Sequence, residues 1–575
     1  MSYLQPALTF LDWFKTWPGT TFHEHIEIVD LRSRGAGRGI VAKKDIAPET
    51  VLFTIPRQAI LCSTTSELAT LIPGLKTGDE KEEDKEDDKE DDDDENENGQ
   101  DPWTSLILIM IYEYLRGEKS PWKAYFDVLP TVFDTPMFWA DSELKELQAS
   151  PVVGRVGRKE ADEMITSKVL PVIRAHASVF FGSNVPLADD DLIQLAHRMG
   201  STIMAYSFSL EKDDEDDEEQ ELPKEQGEDV DMMDGVEHGD SHDDHEHGPG
   251  CSHEHDHEDA DGWVEDHDDQ QPLGMVPMAD MLNADAEPNA HINHGVEALT
   301  ATSIRAIKAG EEILNYYGPL SNGELLRRYG YTTEKHAFFD AVDLPWELVQ
   351  QKLIAELPGL AASDGDKISK MLADDEDDEN DMEDPIMLDR DFEEDETTGQ
   401  LSAPASGRVL AELPPALKKQ ARAFAKIASK RLQKKREKEK KEEPPVSKNK
   451  SGKYGKYGKA KVAPKEEVPR PDKEIAAAGI LAAFKVRLAQ YKTSLDKDEA
   501  QLQSMAASAT SLSPSQSRLY AALRVRIGEK RLLTEAIALA KEALEEQKKP
   551  ATSTKSKRNS RAMDIDEPSG KRQRM

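Results

Sequence analysis

Three runs of acidic residues decide which parts of this chain can fold. Residues 79–98 hold 15 acids and 3 lysines, residues 211–270 hold 28 acids and 2 lysines, and residues 364–396 hold 17 acids and 3 bases. Segments this charged bury too little apolar surface to offset chain entropy, so each is read as a disordered insertion. The runs contribute −12, −26 and −14, together −52, whereas the whole chain of 575 residues carries −40. The remainder is therefore mildly basic, at +12. It is long enough for two or three domains.

Between the runs the hydrophobic pattern changes period. Residues 1–18 place Leu4, Leu8, Leu11 and Phe14 at helical spacing and end in Pro18, which predicts a leading helix. Residues 19–75 hold the short apolar runs EIVDL, IVAKKDI and TVLFTIP, each closed by Gly or Pro, and predict a small antiparallel β unit. After an acidic loop at 76–100, residues 101–210 read as helical. WTSLILIMIYEYLRG is apolar nearly all round, and DLIQLAHRMGSTIMAYSF has apolar groups at i, i+3, i+4 and i+7. A second acidic, His-rich loop at 211–271 follows, and β character returns over 272–340 in PLGMVPMADMLN, EALTATSI and EEILNYYG.

The fold class is thus α+β: one β domain split by a helical insert and a floppy acidic loop, followed by a separate all-α domain at 341–548. Within that domain, residues 364–400 and the Lys/Pro/Gly-rich stretch 441–473 are predicted to be disordered. Residues 549–575 form a basic tail. Only Cys62 and Cys251 occur, and no signal-like N-terminus precedes them, so a reducing, intracellular setting without a disulfide is expected. The longest aliphatic stretch, LILIMI, falls far short of the roughly 20 residues that span a bilayer, and no membrane segment is expected.

Three separated segments concentrate unusual residue types: SRGAGRGIVAKKDI (33–46), GMVPMADMLNADAEPNA (274–290) and AGEEILNYYGPLSNGELLRRYGY (309–331). In the first, Gly35, Gly37 and Gly39 allow positive φ and close approach to a ligand, although an isolated GxG is equally an ordinary turn. The second turns from apolar to densely polar, which requires buried partners for Asp280, Asn283 and Asn289.

Taken together, the three segments resemble the SET-domain protein lysine methyltransferases. They resemble in particular the Rubisco large-subunit methyltransferase-like branch, in which a helical insert splits the domain and a helical substrate-binding domain follows. The resemblance implies S-adenosyl-L-methionine as cofactor, held by Ala36, Gly37, Arg38, Gly39, Asn283, Ala284 and Tyr329. Members of the family usually carry His where this chain has Ala284, so a ring contact is absent there and a backbone contact is what the position offers. Tyr317 is implied as the catalytic phenol, and Trp122, Tyr206, Asp280 and Tyr331 as residues near the substrate lysine.

The chemistry suits these types. Methyl transfer from a sulfonium to a neutral amine is an in-line displacement that needs alignment and charge stabilisation but no protein nucleophile. A phenol oxygen accepts weak C–H···O contacts from the methyl, aromatic rings line a cation channel, and desolvation lowers the lysine pKa so that water can take its proton.

Within the branch, ADMLNADAEPNA is most similar to fungal enzymes of ribosomal lysines, which implies a basic protein substrate, a large-subunit ribosomal protein, with a histone or another nuclear protein as the alternative. A rival of another class is a non-catalytic acidic chaperone for basic proteins, supported by the acidic runs and Ala284. Eight of the 15 His lie between His238 and His267, but without fixed ligand spacing, so no metal site is expected. Residues 418–465 hold 19 Lys or Arg against 4 Glu, a pattern compatible with RNA contact. Clusters at Lys555–Arg558 and Lys571–Arg574 resemble nuclear import signals, and a monomer of the nucleus and cytoplasm is expected.

Overall fold

The computed structural model describes residues 3–34, 36–72, 75, 101–210, 272–373, 385–395, 400–442, 470–506 and 512–548. The acidic loops 76–100 and 211–271, with the His-rich stretch, lie outside the described residues, as do most of the 441–473 stretch and the tail. The chain divides into two compact units. The first takes in residues 1–345, 384–412 and 486–535, and the second 346–383, 413–485 and 536–575.

The first unit is built on short strands: β1 (Thr21–Phe22), β2 (Ile26–Asp30), β3 (Arg38–Ala42), β4 (Val51–Pro56), β5 (Ser207–Ser209), β6 (Leu273–Met275), β7 (Asn283–Ala284), β8 (Ala290–His294), β9 (Ala298–Ser303) and β10 (Leu314–Asn315). A four-stranded antiparallel sheet runs in the order β1-β4-β9-β8, and β2 pairs with β3 from Ile26 opposite Ala42 to Asp30 opposite Arg38. Burial alternates along β9, with Leu299, Ala301 and Ser303 inward, the period-2 signature of a half-buried strand. Crucially for the site, β7 and β10 pair in parallel, Leu314 opposite Asn283 and Asn315 opposite Ala284, which joins the second and third motif segments.

The insert is helical as its pattern predicts. Helix Pro102–Arg116 starts on Asp101, whose carboxylate accepts the Thr104 amide at 2.7 Å, and it is buried continuously from Trp103 to Glu113. It packs against helix Asp189–Tyr206, whose buried stripe is Leu192, Leu195, Ala196, Met199 and Ile203. Three aspartates in the first turn of that helix complement its dipole. Chain reversal through β5, antiparallel to β6, leaves Tyr206 at the helix end facing the motif segments.

Three expectations need correction. The leading helix spans Gln5–Phe14, but its inner face is Ala7, Phe10 and Phe14; Leu8 is 45% exposed. Phe10 stacks on Phe14 and meets the tilted Tyr125 ring at 5.9 Å, which turns this aromatic stripe inward. Second, the 364–400 stretch is not uniformly disordered. Helix Ala362–Ala373 buries Ile368 and Leu372, β12 (Ile386–Asp389) pairs antiparallel with β11 (Ala341–Leu344), and β13 (Glu393–Glu394) pairs with β14 (Leu401–Ser402). Charge counting over the whole window hid an i, i+4 apolar pair and the alternation Ile386, Leu388. Third, the antiparallel pair β11–β12, formed across two intervening helices, shows that residues 341–548 are not all helical, and residues 384–412 and 486–535 cluster with the β unit rather than apart from it.

The second unit is helical. Helices Trp346–Ala355, Ala362–Ala373 and Pro415–Glu442 pack around Val349, Leu353, Ile368 and Phe424; the Trp346 ring meets Phe424 edge-on at 5.8 Å and its Nε1 donates to Ser369 at 2.9 Å. Lys419, Arg422, Lys426 and Lys430 repeat at helical spacing on the exposed face of Pro415–Glu442. Among the described residues no helix is long and apolar enough to cross a membrane.

Candidate functional site

The three motif segments converge in the first unit. Gly39 on β3 lies against Asn283 on β7 and Glu312 just before β10; a Cβ added at Gly39 would stand 2.5 Å from Leu31, 2.7 Å from Glu312 Oε1 and 2.9 Å from Asn283 Nδ2. That absence of room, not a special backbone conformation, is why glycine stands there, since neither Gly37 nor Gly39 has positive φ. At Gly37 a Cβ would meet only the Tyr3 hydroxyl, at 3.5 Å. The loop itself is closed by Leu31, whose N–H donates to Gly37 O and whose carbonyl accepts from Ala36 N. Arg38 reaches away, donating to the Val128 carbonyl at 2.5 Å.

Asn283 donates both amide hydrogens within the protein, to Arg38 O at 3.1 Å and to Glu312 Oε1 at 2.6 Å. Two acceptor partners fix which end of the amide is nitrogen. Its Oδ1 takes no hydrogen bond among the described residues and is left to receive a donor from outside the protein. Asn289, fully buried, is satisfied by Glu312 O, Glu311 and Leu314 N, and so staples β10 to the 283–290 segment. Ala284 adds backbone but no ring at this edge.

Beside this cradle stands a group of phenols. Tyr317 is half-buried with its hydroxyl on the Leu282 carbonyl at 2.8 Å, and its ring stacks on Tyr329 at 4.8 Å, nearly parallel. Tyr329 and Tyr331 flank Gly330, the C-cap of helix Asn322–Tyr329, at φ +80; a side chain there would also strike the Asp134 backbone. This turn brings the Tyr331 ring 6.2 Å from that of Tyr329, edge to face. Tyr206 completes the group; burial, then the charge of Asp280, pushes its phenol up to about 12. Burial also holds the phenols of Tyr317 and Tyr331 protonated, far above the usual range. Tyr316 is 40% exposed, in contrast to its neighbour Tyr317.

Asp280 sits on a short helical turn following Met278, which adopts φ +83, a strained conformation for a non-glycine residue. Its Oδ2 accepts the Tyr125 hydroxyl at 2.6 Å, while Oδ1 is shielded and has no hydrogen-bond partner among the described residues. Burial pushes its carboxyl up to about 7, against the Tyr125 hydrogen bond that favours the ionised form.

Trp122, expected near the substrate, is a core residue instead. It is 2% exposed, donates to Ala59 O at 2.9 Å and stacks on Trp17. The neighbour that does reach the site is Tyr125, three residues on in the same WKAYF segment, whose helical offset points it at Asp280. Sequence reading also passed over Glu312, because GEEI reads as a polar strand edge.

Comparison with known proteins matches the SET domain family over residues 37–318 and the Rubisco LSMT substrate-binding family over residues 408–533. The chain is 30% identical over 348 residues to ribosomal lysine N-methyltransferase 4 of Saccharomyces cerevisiae, covering 60% of this chain and 59% of that protein. It is 28% identical over 300 residues to N-lysine methyltransferase setd6 of Xenopus laevis, covering 51% and 50%. The chain thus spans between half and three-fifths of the length of these curated relatives. Among solved structures, the SET domain of LSMT bound to lysine and AdoHcy superposes with a TM-score of 0.53 at 18% identity, covering 95% of this chain and 93% of that one. Rubisco LSMT bound to AdoMet gives 0.51 at 18%, covering 94% and 93%, a shared fold.

Proposed function

We propose that this chain, which belongs to the SET-domain proteins that carry a Rubisco LSMT substrate-binding domain, is an S-adenosyl-L-methionine-dependent protein-lysine N-methyltransferase acting on a large-subunit ribosomal protein. The observation that carries the reading is the half-buried Tyr317, anchored on Leu282 and stacked on Tyr329, beside the crowded Gly39–Asn283 cradle.

The residues present fit the cofactor. Gly39 has no space for a Cβ, and the Asn283 amide keeps an acceptor for an ammonium donor. Ala36, Gly37, Arg38, Gly39, Asn283, Ala284 and Tyr329 would hold the cofactor, and when bound it supplies a methyl group on a sulfonium. Tyr317 donates its hydroxyl hydrogen bond to the Leu282 carbonyl, so its oxygen lone pairs remain free to accept C–H···O contacts. The rings of Tyr206, Tyr329 and Tyr331 form a low-dielectric wall that disfavours a charged amine. Asp280, ionised above about pH 7, attracts the incoming lysine ammonium. Proton loss to water then leaves the neutral amine facing the methyl.

The ribosomal substrate rests on the similarity to the yeast enzyme. Histones and other nuclear proteins are the second choice, and the basic tail clusters support a nuclear and cytoplasmic enzyme. Exposed Lys419, Arg422, Lys426 and Lys430 support a weak RNA contact near such a substrate.

Transfer of labelled methyl from S-adenosyl-L-methionine to purified large-subunit ribosomal proteins, with core histones in parallel and Tyr317→Phe as control, tests this. Label on a ribosomal protein that vanishes in the variant is expected. Label confined to histones would reassign the substrate. Absence of both transfer and cofactor binding would favour the acidic chaperone.

A further inference from the structure

Glu312 brings a carboxylate into the Gly39–Asn283 cradle, and its position is fixed from both sides. Its backbone carbonyl accepts Asn289 Nδ2 at 2.7 Å, and its residue bridges antiparallel to Val41 on β3. Its Oε1 takes the Asn283 amide at 2.6 Å, and Gly39 leaves just enough space for both groups. Among the described residues Arg34 and Asp285 are the charges that act on the carboxylate, and burial, the largest influence, raises its pKa.

Two consequences follow from this geometry. The short bond to Glu312 forces Asn283 to present its nitrogen inward and its Oδ1 outward, so the cradle offers an acceptor and excludes a second acceptor. It also places a negative charge directly behind that acceptor, which polarises the amide and favours a cationic donor over a neutral one. S-adenosyl-L-methionine and its demethylated product both carry an α-ammonium group, which is such a donor.

We propose that Glu312 is a positioning residue that acts through Asn283 to make this cradle selective for the α-ammonium of the cofactor's amino-acid end. The inference rests on the methyltransferase reading above. It goes beyond that reading by assigning a role to a residue that the motif resemblance leaves silent.

The test is calorimetric binding to the full chain, independent of turnover, with two probes: S-adenosylhomocysteine and its analogue lacking the α-amino group. Glu312→Gln keeps an acceptor for Asn283 but removes the charge, and it is expected to weaken S-adenosylhomocysteine about tenfold while leaving the analogue unchanged. Glu312→Ala removes both and is expected to weaken S-adenosylhomocysteine about 100-fold, with a small effect on the analogue. If both probes weaken equally, Glu312 serves only the fold of the strand edge and the proposal is overturned. Unchanged binding of both probes in the variants overturns it too. Should Glu312→Ala fail to fold, Glu312→Gln decides by the same comparison. A wild-type chain that binds neither probe would instead overturn the methyltransferase reading itself, which is a distinguishable failure.

Discussion

The hydroxyl of Tyr317 donates to the backbone carbonyl of Leu282 at 2.8 Å, and Leu282 directly precedes Asn283. One peptide thus carries the anchor of the half-buried phenol on one side and the cradle amide on the other. The parallel pairing of Leu314 with Asn283 brings the two chain segments into this register. A shift of one residue would exchange the anchored Tyr317 for exposed Tyr316 and dissolve the site.

Removing that hydroxyl is the most direct probe. Tyr317→Phe keeps the stack on Tyr329 but leaves the Leu282 carbonyl unpaired, at a stability cost of about 1 kcal/mol. The turnover number is expected to fall about 10²- to 10³-fold, by analogy with loss of one positioned polar group in other active sites. Cofactor affinity measured by calorimetry stays close to that of the wild type. A variant that retains full turnover would remove Tyr317 from the reaction.

The two loop glycines should separate cleanly. Gly39→Ala drives a methyl into Leu31, Glu312 and Asn283, two of them at the cradle, whereas Gly37→Ala meets only the Tyr3 hydroxyl at ordinary contact distance. Binding of S-adenosylhomocysteine is expected to be lost in the first and kept in the second. Equal loss in both would mean that the loop backbone as a whole, rather than the space at Gly39, governs binding.

Asp280 gives the reaction a pH signature. Its carboxyl titrates at about 7 because burial outweighs the Tyr125 hydrogen bond, so the anion that attracts a lysine ammonium forms as pH rises through that value. The rate at low substrate is therefore expected to climb between about pH 6 and 8. Tyr125→Phe removes the bond that favours the anion and moves this limb upward, while Asp280→Asn lowers the rate and removes the limb. An unshifted limb in Tyr125→Phe would assign the titration to another group.

Much of this arrangement is legible in the sequence, and the exceptions have physical causes. The residues at 36–39, 280–284 and 317–331 stand out because special residue types are packed into short segments. What brings them together is β7 paired with β10, two residues each, too short for any periodic signal. Trp122 and Tyr125 were indistinguishable as neighbouring aromatics; the turn at Lys123–Phe126 sends one to the core and the other to Asp280. Within 364–400, the buried Ile386 and Leu388 are two apolar residues among acids, and composition averaged over the window erases them. The spacing of Leu4, Leu8, Leu11 and Phe14 predicts the leading helix, but packing against Tyr125 turns Phe10 inward with Phe14 and leaves Leu8 exposed.

A second titration, remote from the phenols, should appear in stability. Glu529 is buried in the first unit, its two oxygens accepting the hydroxyls of Ser150 at 2.6 Å and Tyr491 at 2.8 Å. Burial pushes its carboxyl up to about 8, despite those bonds and the nearby charge of Arg487. In the unfolded chain the same group titrates in the ordinary carboxylate range near 4.3. Between those values the native state holds a proton that the unfolded state has released, so stability is greatest in acid and falls as pH rises through about 8. Glu529→Gln keeps the shape and cannot ionise. Urea unfolding from pH 6 to 9 is expected to show the wild type losing about 2 to 3 kcal/mol more than the variant. Asp280 and Asp340, raised to about 7 by burial, slope both proteins in the same direction, so the difference between them reports Glu529 together with its repulsion by Asp340. Parallel pH profiles would show that Glu529 is ionised in the native state and that Arg487 outweighs its burial.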